Sequence, residues 1–145
     1  MSLPAADDPA AYRYWTREHV RFADLDLIGH VNNTAYATYV ESGRAAFMHE
    51  IGMWVPGSGI QNVVARLEID YRRELLYQAQ LQIGVRVLAI GRSSFRLGCG
   101  IFANGVCHAT GLSIVVRWDA HTRASITLDE DALARLRPHL SAAPL

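Results

Sequence analysis

Within ten residues the chain sets two carboxylates, Asp24 and Asp26, a histidine, His30, and two asparagines, Asn32 and Asn33. A carboxylate can attack an electrophilic carbon or take a proton from water. From Thr34 onward Tyr36, Val40, Gly43, Phe47 and Ile51 recur at spacings of four, three, four and four, which is one face of a helix. Asn32 or Asn33 is then the N-cap. The start of that helix presents unpaired backbone N–H groups and the positive end of its dipole to the acids of the preceding loop. The stretch is an anion site with an acid beside it, and the residues alone do not choose between Asp24 and Asp26.

The elements that hold this loop follow from periodicity. Residues 1–12, with Pro4 and Pro9, read as a flexible N-terminal arm, and residues 13–140 as one domain. A first strand is expected over Tyr14–Phe22, the long helix from about Asn33 to Gly52, and a connection at Met53–Gly59 rich in glycine and proline. Four strand-like runs come next, Gln61–Arg73, Ala79–Ile90, Ser94–Ala103 and Val106–Asp119, with turns at Gly91-Arg92-Ser93 and Asn104-Gly105 that predict a meander. Alternation is weak in Val106–Trp118, so that run is expected to be central and covered on both faces. A short helix over Asp129–Arg137 closes the chain, with Leu133, Leu136 and Leu140 as its apolar side. One long helix with a five-stranded, mostly antiparallel sheet is an α+β layer architecture.

Composition narrows the function. Fourteen basic residues, all arginine, balance fourteen acidic ones, so no global field gathers nucleic acid and an anionic ligand must meet a local patch. No run of eighteen apolar residues and no signal-peptide pattern occurs, so a soluble, cytoplasmic protein without a membrane partner is expected. The six histidines and two cysteines show no CxxC or HxxxH spacing, and no metal is expected. If Asn104-Gly105 is a two-residue turn, Phe102 faces Cys107, Cys99 faces Thr110, and the two cysteines point to opposite faces, which excludes a disulfide.

The pattern D-x-D-x-x-G-H-V-N-N-x-x-Y, carried by Asp24, Asp26, Gly29, His30, Val31, Asn32, Asn33 and Tyr36, resembles the opening of hotdog-fold thioesterases of the 4-hydroxybenzoyl-CoA thioesterase type. The resemblance runs from about Arg17 to Trp118 and takes in Tyr71-Arg72-Arg73-Glu74, Gly91-Arg92-Ser93-Ser94 and Ala109-Thr110-Gly111. It implies a hotdog fold, in which the sheet wraps the long helix, and an acyl-CoA thioesterase. Asp26 would be the catalytic carboxylate, and the Asn33 backbone N–H would polarise the thioester carbonyl.

Glu41 is the alternative carboxylate, because another branch of these enzymes has its acid eight residues into the helix; otherwise it is a surface residue, for instance paired with Arg44. His30 and Tyr36 are candidate substrate contacts, and Arg72, Arg73 and Arg92 candidate grips for the coenzyme A phosphates. No cofactor is implied beyond coenzyme A as part of the substrate, and the partner is a second copy, in a homodimer that pairs again to a homotetramer. The G-D-x-N-P-x-H signature of enoyl-CoA hydratases on the same fold is missing. A non-catalytic protein that binds acyl-CoA or an aromatic ligand is the rival reading, and thiol release from acyl-CoA separates the two.

Overall fold

The computed structural model describes residues 4–141. Six strands, β1 (Tyr14–His19), β2 (Ile60–Tyr71), β3 (Gln80–Ile90), β4 (Ser94–Ala103), β5 (Val106–Asp119) and β6 (Ala124–Ser125), form one sheet with a long helix α1 (Asn33–Glu50) and a short helix α2 (Glu130–Leu136). The sheet order is β1-β3-β4-β5-β2, every pairing is antiparallel, and β6 adds two residues to β5. This curled sheet around one long helix is the hotdog architecture.

Helix α1 lies on the inner face. Its buried stripe contains the expected Tyr36, Val40, Gly43 and Phe47, with Ala35, Tyr39 and Met48 beside them. Gly43 lets helix and sheet meet closely, since a Cβ there would stand 2.5 Å from Ile83 Cγ2. Opposite the helix are Ile83, Val85, Val87, Phe95, Leu97 and Ile101, all nearly inaccessible to water. No helix among the described residues is long and apolar enough to cross a membrane.

The sequence-derived outline needs two corrections, at the end of the first strand and in the register of Cys99. The first strand stops at His19, and Phe22–Asp24 forms a 3-10 turn, because the Asp24 carboxylate accepts from both the backbone and the side chain of Arg21 and draws the chain out of the ladder. Strand β5 is interior as expected, paired with β4 on one side and β2 on the other, and β4 is the middle of the sheet, its residues from Leu97 to Ala103 all buried. The turns expected at Gly91-Arg92-Ser93 and Asn104-Gly105 join β3, β4 and β5 in the predicted meander, while β2 crosses to the far edge and pairs with β5. Finally, a bulge between Ile101 and Phe102 moves Cys99 opposite Gly111, although Phe102 still faces Cys107.

Both thiols remain free. Cys99 belongs to the core beneath α1, and burial pushes its pKa up to about 12. Cys107 packs on the outer face with Tyr12 and Phe102. Chain ahead of β1 also lies on that outer face: Tyr12 donates to the Ala6 carbonyl at 2.6 Å, and the Arg86 guanidinium stands 5.4 Å from the Tyr12 ring centre.

Candidate active site

The loop between the 3-10 turn and α1 is folded by its own polar groups. Gly29, at φ +85, takes the left-handed conformation that glycine adopts without strain and closes a turn in which its N–H donates to the Asp26 carbonyl at 3.1 Å. The Asp26 N–H donates to the His30 carbonyl at 2.9 Å, and Leu25 bridges Val31. Asn32 is the N-cap, with its side chain accepting from the Thr34 N–H at 3.0 Å. Its own N–H donates to the Asp24 carbonyl at 2.7 Å, so the helix start is pinned to the loop.

The two acids have different surroundings. Asp24 is 5% exposed; it accepts from the Tyr39 hydroxyl at 2.6 Å, the Arg21 side chain at 2.8 Å and the Arg21 N–H at 3.0 Å. Burial pushes its pKa up, but the hydrogen bonds from Arg21 and Tyr39 outweigh burial and hold it below the ordinary carboxylate value. Asp24 therefore braces the loop. Asp24→Ala is expected to lower stability by about 1–3 kcal/mol, because it strands the buried Tyr39 hydroxyl.

A carboxyl whose pKa is depressed on folding stabilises fully above its unfolded value, about 3.9, and loses that contribution as the pH falls through its folded value. Urea unfolding should accordingly show the gap between wild type and Asp24→Ala at about pH 7 and its narrowing by about pH 3.

Asp26 is only half-buried, and its Oδ1 accepts from the Ile28 N–H at 2.9 Å, an Asx-turn that fixes the carboxylate without enclosing it. It lines a cavity of about 390 Å³ together with His30, Val31, Asn33, Tyr36, Tyr71, Arg72, Arg73 and Glu74. At the helix start, Thr34 N–H and Ala35 N–H are bonded to Asn32, whereas the Asn33 N–H has no acceptor among the described residues. An acid, Asp26, and a residue with an unpaired helix-terminal N–H, Asn33, thus line the same space.

The remaining residues shape the walls. Tyr36 is buried, as its place on the helix face requires, and its hydroxyl donates to the Arg73 carbonyl at 3.3 Å. Tyr71 donates to the Asn33 carbonyl at 2.9 Å and meets Tyr36 edge to face, which ties the end of β2 to the helix start. His30 Nε2 is 3.1 Å from Glu74 Oε2. The Arg72 side chain reaches Thr110 at 3.4 Å and Asp7 at 3.6 Å. Glu74 and Tyr71 are polar lining residues that had no assigned role, and their adjacency to Arg72 and Arg73 was the available signal.

Two candidates stand elsewhere in the protomer. Glu41 is exposed and lies outside this cavity, and the ion pair expected with Arg44 is not formed, since Arg44 donates instead to Ser113. Arg92 sits in the β3–β4 turn, two residues before Ser94, which is level with Val63 on β2 through Val116; the eight residues from Val63 to Tyr71, about 26 Å at ~3.3 Å each, therefore separate that end of the sheet from the cavity. Among the described residues no group of three His, Cys, Asp or Glu side chains is arranged to hold a metal ion.

Comparisons with known proteins agree with this architecture. A family model described as the thioesterase-like superfamily matches residues 20–136. A thioesterase from Thermus thermophilus, solved in complex with coenzyme A and Zn, is 36% identical, with a TM-score of 0.76 over 86% of this chain and 92% of that one. A thioesterase-superfamily structure from Jannaschia sp. CCS1 is 27% identical, with a TM-score of 0.82 over 93% of this chain and 89% of that one. The uncharacterized protein YsmA of Bacillus subtilis (strain 168) is 28% identical over 97 residues, 67% of this chain and 66% of its own length, just under two thirds.

Proposed function

Because the chain belongs to the thioesterase-like superfamily, we propose that it hydrolyses an acyl-CoA thioester, as an enzyme of the 4-hydroxybenzoyl-CoA thioesterase type, to free acid and coenzyme A. The observation that carries this reading is the cavity lined by both Asp26 and Asn33, whose helix-terminal N–H is unpaired. Asp26 attacks the thioester carbonyl or takes the proton of the attacking water, and the Asn33 N–H donates to the oxygen as it gains charge. Coenzyme A as the carrier is supported by its presence in the Thermus thermophilus thioesterase. Release of free thiol from a panel of acyl-CoA esters tests the proposal. Binding of the esters without thiol release would make the chain an acyl-CoA binding protein instead.

The unit we propose is a homodimer in the cytoplasm, pairing again to a homotetramer. Strand β2 is a twelve-residue edge with Val64, Leu67 and Tyr71 exposed, and an edge of that length is normally covered. Antiparallel pairing of two β2 edges about a twofold axis sets the start of β2 in one copy beside its end in the other. Arg92, level with the start of β2, then comes toward the second copy's Asp26 loop and can join Arg72 and Arg73 in holding phosphate. Arg92→Ala is expected to raise KM for coenzyme A esters about tenfold with little change in kcat, the worth of one charge-assisted hydrogen bond shared by ground and transition states. Steady-state kinetics at low and physiological salt check this, and an unchanged KM at both removes Arg92 from the site.

A further inference from the structure

A second, larger cavity lies at the opposite end of β2, about 640 Å³ between the latter half of α1, the 53–59 loop and the start of β2. That volume is in the usual range for small-molecule sites, roughly 300–1,000 Å³. Ala45, Met48, Val55, Ile60 and Val63 give it an apolar wall, and no Asp or Glu lines it. Of its polar groups, the Asn62 amide is committed, donating to the Met53 carbonyl at 2.9 Å and accepting from Arg117 at 2.8 Å.

Arg44 is different. Its one hydrogen bond goes to the Ser113 hydroxyl at 3.1 Å, and no carboxylate among the described residues makes a salt bridge with it. Glu41, one turn earlier on α1, is turned to solvent, and burial of the guanidinium outweighs the influence of Glu41. His121 is the only other ionisable side chain of the lining. A half-buried guanidinium with most of its five donors uncommitted, in a wall without acids, is built to meet an anion, which it can hold through two parallel hydrogen bonds.

We propose that this cavity receives the acyl tail and that Arg44 selects acyl groups ending in a carboxylate, the half-thioesters of dicarboxylic acids. The inference rests on the thioesterase reading for the ligand being a thioester, and on the β2-edge dimer proposed above for the reach from the carbonyl to this cavity. A plain alkyl tail would cover the apolar wall but leave the Arg44 donors dry and unpaired, a cost that a terminal carboxylate removes. The coenzyme A phosphates fit the wall of Ala45, Met48 and Val63 poorly, whereas exposed arginines stand at the rim of the other cavity. Pairing of β2 edges puts this cavity of one copy next to the carbonyl site of the other.

The test is calorimetric binding of non-hydrolysable thioether analogues to the full chain: adipyl, suberyl and sebacyl against hexanoyl, octanoyl and decanoyl, each on coenzyme A and on pantetheine. The wild type should prefer the carboxylate-ended member of at least one pair by roughly 10- to 100-fold on both carriers. Arg44→Met should abolish that ratio and Arg44→Lys restore part of it. A purely structural role for Arg44 would weaken both members of a pair alike and leave the ratio in place, which overturns the proposal. So does equal wild-type binding of each pair, or an Arg44→Met penalty seen only on coenzyme A, which would mark a phosphate contact. Thiol release is read separately. Preferential binding without hydrolysis sinks the enzyme reading and leaves this one standing; hydrolysis without preference does the reverse.

Discussion

Asp26→Asn is expected to lower thioester turnover by roughly 10²- to 10⁴-fold, the usual worth of a positioned general base. The substitution keeps the side-chain oxygen that accepts from the Ile28 N–H, so the loop retains its turn while the charge beside the Asn33 N–H is lost. Folding and substrate affinity should therefore change little, and the loss should fall on kcat. Glu41→Gln should cost far less, because Glu41 stands exposed and away from the cavity that holds Asp26 and Asn33. The comparison is made by thiol release from the best acyl-CoA of the panel, with circular dichroism to check the fold. A near wild-type rate for Asp26→Asn alongside an inactive Glu41→Gln would move the catalytic carboxylate to the helix. Loss of neither rate would leave the helix start acting on water without either acid.

An effect of similar size is expected from the edge of the sheet. Val64 and Leu67 are exposed apolar side chains on β2, and β2 is paired on one side only. Lysines at both positions would place like charges across a twofold β2 pairing, the device by which natural edge strands avoid association. The double variant should sediment as a folded monomer at micromolar concentration and lose thioesterase activity by roughly 10²-fold or more, since misplacing the parts of a site by an ångström already costs about that much. A variant that is monomeric and fully active would place the whole site in one protomer. A wild type that is already monomeric at that concentration would remove the dimer from the proposal.

The parts of the fold legible in the sequence were those with local causes. The face of α1 could be read because Tyr36, Val40, Gly43 and Phe47 must share a side at 3.6 residues per turn. The Asn104-Gly105 hairpin could be read because both residues take positive φ, +51 and +75, which that dipeptide tolerates. What depended on distant partners could not. Nothing local tells β2 to pass the meander and pair with β5, and the bulge opposite Ile101 leaves no mark in the alternation. In the candidate site, Asp26, His30, Asn33 and Tyr36 came from one continuous motif, with Arg72 and Arg73 added by resemblance. The partnership of His30 with Glu74 and of Arg44 with Ser113 arises from contacts across the fold, between residues that no period connects.

The order of the strands also sets an order in time. β3, β4 and β5 are successive neighbours joined by short turns, so their ladders close small loops and lose little chain entropy in forming. β1 must find β3 with Tyr14 opposite Val85, and β2 must find β5 with Ile60 opposite Asp119; in both, the intervening chain has to be gathered first. The central three strands are thus the natural early-forming and last-opening unit, while the two edges join late and open first. The tie from Tyr71 to Asn33 that completes the Asp26 cavity belongs to an edge. The candidate site is accordingly assembled among the last parts of the molecule to fold, and local opening of β2 dismantles it while the core persists.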